Sequence, residues 1–294
     1  VKGVSVLIYE QTCATEKRRR RKRGQMEDPK RFAFINPAVC EGCGDCSLES
    51  NCLSIEPLET ELGRKRKINL SSCNKDFSCL NGFCPSFVTL EGAVRRKKTG
   101  AEVDIDALLS DITPPALPKL QKPFDLLVTG VGGTGVITVG ALITMAAHLE
   151  GKGSSVLDFT GFAQKFGTVL SFIRIGMSPD AIHQVRIDHG AADAVIGCDI
   201  VVSSAAQASV YYGADTKVVL NLAEMPTGDL VLHRDAQLHT DLREEAIRAT
   251  VGAGNLIGFD ANAMAERFLG DTVFANMMML GFAWQKGLVP VSHG

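Results

Sequence analysis

From Phe124 to the C-terminus, short apolar runs alternate with longer amphipathic stretches. Phe124-Asp125-Leu126-Leu127-Val128-Thr129 is short, branched and nearly uninterrupted, as a strand buried on both faces should be. Gly130-Val131-Gly132-Gly133-Thr134-Gly135 breaks that run, and Val136 to Leu149 then reads as a helix. Strand-like runs at Ser155 to Leu157, Val169 to Ile175, Ala194 to Ile196, Ile200 to Ser203 and Lys217 to Asn221 alternate with helical stretches. The pattern predicts an α/β domain over 123–294, Rossmann-like, with a mostly parallel sheet and no internal repeat. Leu126 to Leu149 carries no charge and is long enough to cross a bilayer, but its glycines explain the same apolar residues as strand, turn and helix.

The chain ahead of that domain divides by composition. Over 1–24, an apolar run from Val4 to Tyr9 precedes a basic block from Lys17 to Arg23. Such an isolated strand must pair with another, from this chain or from a partner. Residues 25–99 hold most of the cysteines, and 100–122, rich in proline, reads as a semi-rigid linker, with a helical turn at Asp106 to Ser110. The start of the chain is too short in its apolar part for a secretory signal, which predicts a reducing, cytoplasmic setting. A chain of 294 residues, 45% hydrophobic and 22% charged, has room for more than one domain, and a net charge of −2 argues against wholesale nucleic-acid binding.

Seven of the nine cysteines fall between Cys40 and Cys84, and Cys40-Glu-Gly-Cys43-Gly-Asp-Cys46 repeats at two-residue gaps. That spacing wraps one loop around a corner of an iron–sulfur cubane, with the fourth thiolate arriving from elsewhere in the chain. Cys84, followed by Pro85, is the candidate, because ferredoxin-type runs end in Cys-Pro and cross between clusters. The first expected cluster is therefore Cys40, Cys43, Cys46 and Cys84. Cys52, Cys73 and Cys79 make an incomplete second set. They are read as a three-iron cluster, as a four-iron cluster with an oxygen ligand such as Asp76, or as free cysteines. Zinc uses the same gaps but pairs doublets or recruits histidine, and no histidine lies between Cys40 and Cys84.

Gly130, Gly132 and Gly135 match a dinucleotide-binding fingerprint, with Gly133 inside it and Asp158 ending the next expected strand. Close strand-to-helix packing is the competing explanation for these glycines. A glycine-flanked segment, Gly161-Phe162-Ala163-Gln164-Lys165-Phe166-Gly167, follows that strand, where open α/β sheets bind ligands.

These stretches together resemble the C-terminal part of the fused bacterial indolepyruvate ferredoxin oxidoreductases, in the 2-oxoacid ferredoxin oxidoreductase superfamily. The resemblance covers Val6 to Lys17 with the basic block behind it, Cys40 through Cys52, Ser72 to Cys79, Gly82 to Phe87, Gly130 to Gly135 and Ala163-Gln164-Lys165. Phe166 before Gly167 departs from the family pattern. The resemblance implies the end of a thiamine-diphosphate-binding domain at 1–24, a ferredoxin-type domain at 25–99 and a gamma-type domain at 123–294. It also implies CoA-dependent oxidative decarboxylation of an aryl-2-oxoacid, with electrons leaving singly through iron–sulfur clusters to ferredoxin. Gly130, Gly132, Gly133, Gly135, Gln164 and Lys165 are its expected cofactor-side residues, with the Gly161 to Gly167 loop as a wall or lid over the site. The thiamine signature is expected upstream, in a missing domain or subunit. This chain is then not catalytically complete alone, and the complete enzyme is expected to be a homo-oligomer.

The basic runs Lys17 to Arg23, Arg64 to Lys67 and Arg95 to Lys98 have two readings: a rim that steers an acidic ferredoxin, or a solvated or salt-bridged surface. Cys198, Cys13 and Met277 to Met279 read as packing, the six histidines as scattered, and Glu244 and Glu245 as an exposed helix pair without chemistry. Two other classes stay open: a zinc-containing nucleic-acid-binding module, and a dinucleotide-binding electron transferase feeding the cluster.

Overall fold

A computed structural model describes residues 2–94, 110, 112–161 and 167–293, without the side chain of Thr15. The chain forms two compact units. The first contains 1–96 and a returning segment, 226–236; the second contains 97–225 and 237–294.

In the first unit, helix α1 (Ala14–Lys22) precedes strand β1 (Arg31–Ile35), helix α2 (Asp45–Ser50), β2 (Ile55–Thr60), β3 (Gly63–Ile68) and β4 (Phe87–Glu91). The strands pair as two antiparallel ribbons, β1 with β4 and β2 with β3. Ile35, Cys40 and Ile55 are its buried apolar cluster, with Cys46, Cys52, Ile68, Cys79 and Phe87 packed around them. Val4 to Tyr9 does not become a strand. These side chains are largely exposed, Val4 completely, because no strand among the described residues lies alongside to supply a ladder.

The second unit begins with β5 (Phe124–Val131), α3 (Val136–Leu149), β6 (Gly153–Thr160), β7 (Thr168–Gly176) and β8 (Ala192–Gly197). Short helices α4 (Ile200–Ser204) and α5 (Ala206–Ser209) lead to β9 (Tyr212–Asn221). A one-turn helix α6 (Gly228–Leu232) lies in the segment assigned to the first unit, and α7 (Thr240–Val251), β10 (Leu256–Phe259), α8 (Ala261–Leu269) and α9 (Ala275–Gln285) complete the chain. The six strands lie in the order β10-β9-β8-β5-β7-β6, parallel except that β7 runs against both of its neighbours. The expected mostly parallel α/β sheet is therefore present.

Alternation along β5 divides the core. Leu126 and Val128 face one apolar cluster with Val139 and Ile143 of α3 and Met279 of α9. Leu127 faces the other, with Val202 of α4 and Ile247 of α7. With helices on both faces, the central strand buries seven of its eight residues, which is why it lacks a polar face. Ile200 to Ser203, expected as a strand, is helical instead. Asp199 Oδ1 accepts the Val202 N–H at 2.8 Å, and this cap outweighs the β-branched composition. The proline-rich segment lies along the second unit: Gln285 Nε2 donates to the Thr113 carbonyl at 2.8 Å, and Leu120 packs on the core. No helix among the described residues is long and apolar enough to cross a membrane.

Candidate electron-transfer site

The seven clustered cysteines stand in the first unit in two groups. Cys40, Cys43 and Cys46 lie close enough for charge on the first two to raise the third. Cys52, Cys73 and Cys79 interact in the same way. Burial, opposed in part by nearby Arg66, pushes the Cys46 thiol up to about 11, and burial pushes Cys79 up to about 12. Among the described residues no three His, Cys, Asp or Glu side chains are set to hold a single metal ion. A cubane differs from one ion in taking a thiolate at each of its separate corners.

The two groups sit on loops that repeat one backbone design. Asn36, Cys40, Gly42, Cys43, Gly44 and Cys46 correspond, at a constant offset of 33 residues, to Asn69, Cys73, Lys75, Asp76, Phe77 and Cys79. Each asparagine carbonyl accepts the N–H of its cysteine at 3.0 Å, and each side chain accepts the N–H two residues on, at 3.0 and 2.9 Å. Each leading sulfur accepts an N–H at 3.4 Å, from Gly42 in one loop and Lys75 in the other. Left-handed backbone recurs at matched positions, Gly42 (φ 74°) and Gly44 (φ 88°) against Lys75 (φ 52°) and Phe77 (φ 61°). The first loop uses glycine where this conformation is cheap, whereas the second holds it with bulky residues at a cost on the order of 1 kcal/mol each.

The matching extends to the returning cysteines. Ser86 O accepts the Asn36 N–H and Ser54 O accepts the Asn69 N–H, both at 2.8 Å, while Phe87 N–H and Ile55 N–H reach the carbonyls of Cys84 and Cys52, both at 3.3 Å. Cys84 therefore stands to the Cys40 loop as Cys52 stands to the Cys73 loop. Cys84 Sγ also lies 3.0 Å from Ser86 Oγ.

Arg66, read from sequence as part of a steering rim or of a solvated or salt-bridged surface, is instead 3% exposed. Its guanidinium donates to the Arg234 carbonyl at 3.0 Å and lies 3.7 Å from where a Gly44 Cβ would be, between Cys43 and Cys46. Among the described residues no carboxylate pairs with it. Arg64 turns Nη1 to the Ala236 carbonyl, at 2.7 Å, and pairs through Nε with Glu59, so both strand arginines reach the returning segment. Arg21 Nη1 donates to the Asn74 carbonyl at 2.7 Å, tying α1 to the second loop. Arg95 to Lys98 lie outside the described residues. The run Arg64 to Lys67 signalled surface charge, and only tertiary packing reveals Arg66 as a buried cation.

In the second unit, Gly130 is a close-contact position, where a Cβ would meet Val136 Cγ2 at 2.6 Å and Cys198 Cβ at 3.0 Å. Gly132 gives its N–H to the Gly167 carbonyl at 2.8 Å. Gly133 (φ 85°) and Gly135 (φ 102°) take the left-handed backbone that turns β5 into α3. Gln164, Lys165 and the rest of 162–166 lie outside the described residues. Beside this turn, buried Asn221 donates to the Cys198 carbonyl and Asn262 Oδ1, both at 3.1 Å, and accepts the N–H groups of Ala223 and Ala261 at 3.1 and 3.0 Å. It fastens the carboxyl ends of β8 and β9 to the start of α8.

Residues 125–293 match the pyruvate ferredoxin/flavodoxin oxidoreductase family, and the chain belongs to that family. It is similar to indolepyruvate oxidoreductase subunit IorB of Thermococcus kodakarensis, at 25% identity over 59% of this chain and 82% of the relative. It is also similar to the IorB subunit of Methanothermobacter thermautotrophicus, at 30% identity over 54% of this chain and 77% of the relative. A pyruvate oxidoreductase subunit from Thermotoga maritima aligns with 20% identity and a TM-score of 0.40, covering 58% of this chain and 80% of that one. The chain is thus part of an oxidoreductase.

Proposed function

We propose that this chain is the electron-relay and gamma-type portion of a 2-oxoacid ferredoxin oxidoreductase that acts on indolepyruvate. In this reading Cys40, Cys43, Cys46 and Cys84 hold one four-iron cluster, and Cys52, Cys73 and Cys79 supply the thiolates of a second. Such clusters, when bound, accept and pass on single electrons. The reading is carried by the two cysteine groups on matched loops, each with a backbone N–H directed at its leading sulfur. Hydrogen bonds of that kind stabilise thiolate charge. Arg66 supports it independently, because a buried guanidinium without a carboxylate requires a counter-charge, which an anionic thiolate cluster beside Cys46 provides.

The same reading assigns oxidative decarboxylation to acyl-CoA, and the transfer of electrons to ferredoxin, to the complete enzyme. Thiamine diphosphate and coenzyme A are assigned to no residue of this chain. The glycine turn after β5 and the Gln164-Lys165 loop are the gamma-type domain's contribution to the wall of that site. The chain works in a reducing compartment, where its thiols remain available.

Iron and acid-labile sulfide in the anaerobically purified enzyme test the relay. About eight irons with matching sulfide per chain are expected, and about four would remove the second site while keeping the first. Stoichiometric zinc without sulfide would overturn the proposal.

A further inference from the structure

The second cysteine loop lacks a thiol at the one position where the first loop has Cys43. Asp76 occupies it, with Cys73 and Cys79 on either side at the same two-residue gaps as Cys40 and Cys46. We infer that Asp76 is the fourth ligand of the second cluster, whose carboxylate holds a single detachable iron between the thiolates of Cys52, Cys73 and Cys79. This inference rests on the iron–sulfur reading given above and names the group that completes its second site.

Several observations carry it. The backbone of the second loop reproduces that of the first through the asparagine, leading-sulfur and returning-segment hydrogen bonds, so position 76 is presented as position 43 is. The loop holds left-handed conformations at Lys75 and Phe77, the same turns that Gly42 and Gly44 make around Cys43. Asp76 Oδ1 accepts the Ser78 N–H at 3.1 Å and the Ser78 hydroxyl at 2.9 Å, while Oδ2 makes no hydrogen bond to a described residue. One oxygen is thus used to orient the carboxylate, and the other is available to a metal. Both Cys43 and Asp76 are exposed, whereas Cys40 is buried and Cys46, Cys73 and Cys79 are half-buried.

Thiolate is the softer donor and binds iron of a cluster more firmly than a carboxylate does. The iron at Asp76 is therefore the one that leaves. A one-electron oxidant such as ferricyanide takes an electron from the oxidised four-iron cluster, the bond to the carboxylate breaks, and Fe²⁺ departs. A three-iron cluster with four sulfides remains on the three thiolates. Charge balances, since the cluster core of +2 becomes a core of +1, one Fe²⁺ and one electron passed to the oxidant.

The test uses the anaerobically purified enzyme, treated with stoichiometric ferricyanide and followed by released iron and by electron paramagnetic resonance. Wild type should release about one iron per chain and gain the signal of an oxidised three-iron cluster, which added Fe²⁺ and dithionite reverse. Asp76→Cys should release little iron and give no such signal. The reciprocal Cys43→Asp should raise the release to about two irons, a gain that does not depend on how well position 76 variants fold. Equal release from wild type and Asp76→Cys, with sulfide present, would overturn the ligand while leaving the relay standing. An enzyme without sulfide would overturn the relay itself.

Discussion

Buried charge and buried thiol act locally in the second unit. Asp125 and Arg174 face each other across β5 and β7 in a two-pronged pair, Nε to Oδ1 at 2.7 Å and Nη2 to Oδ2 at 3.2 Å. Both side chains are nearly withdrawn from water. Asp125→Ala strands the guanidinium and should cost about 3–5 kcal/mol, read from the denaturant midpoint of Trp284 fluorescence. Trp284 is the chain's one tryptophan and lies in the second unit, so it reports that unit alone. Cys198 is governed by desolvation, which pushes its thiol up to about 12. A raised value means the folded state keeps its proton longer than the unfolded chain. The resulting stability is complete below the ordinary value of 9.0 and drains away as pH climbs from there through about 12. The stability advantage of wild type over Cys198→Ala should therefore shrink by about 1.4 kcal/mol per pH unit above 9, measured on the same fluorescence midpoint. A gap indifferent to pH would show a solvated thiol.

At the scale of elements, the turn from β5 into α3 depends on one close approach. Gly130→Ala would place a methyl 2.6 Å from Val136, so helix and strand must separate. A loss of about 1–3 kcal/mol in the second unit is expected, again from the Trp284 transition, and an unchanged midpoint would mean that α3 yields freely. The Asp199 cap illustrates the opposite control. A single carboxylate converts Ile200 to Ser204, a stretch of strand-forming residues, into the first turn after β8.

On the scale of the whole molecule, the two units differ in what holds them. The second has extensive apolar clusters on both faces of its sheet, whereas the buried cluster of the first comprises Ile35, Cys40 and Ile55. In the iron–sulfur reading, a core that small leaves much of the folding free energy to bound metal. Removing iron with a chelator under anaerobic conditions should abolish amide-exchange protection in β1 to β4 while β5, β7 and β8 stay protected. Retained protection in the first unit would mean that its ribbons are self-sufficient. No such loss is expected at the Trp284 transition.

The cysteine spacing, the β5 to α3 pattern and the α/β class were legible along the chain because each depends on neighbours within a few residues: two-residue gaps, period-two alternation and glycine at a turn. The antiparallel placement of β7, the burial of Arg66 and the failure of Val4 to Tyr9 to form a strand were not, since each depends on which distant segment lies alongside. The likeness of the two cysteine loops falls between these cases. Its residues are in the sequence, but Gly42 and Gly44 share no chemistry with Lys75 and Phe77. Only the folded backbone, with the same left-handed turns and the same hydrogen bonds, makes them equivalent and gives Asp76 its place opposite Cys43.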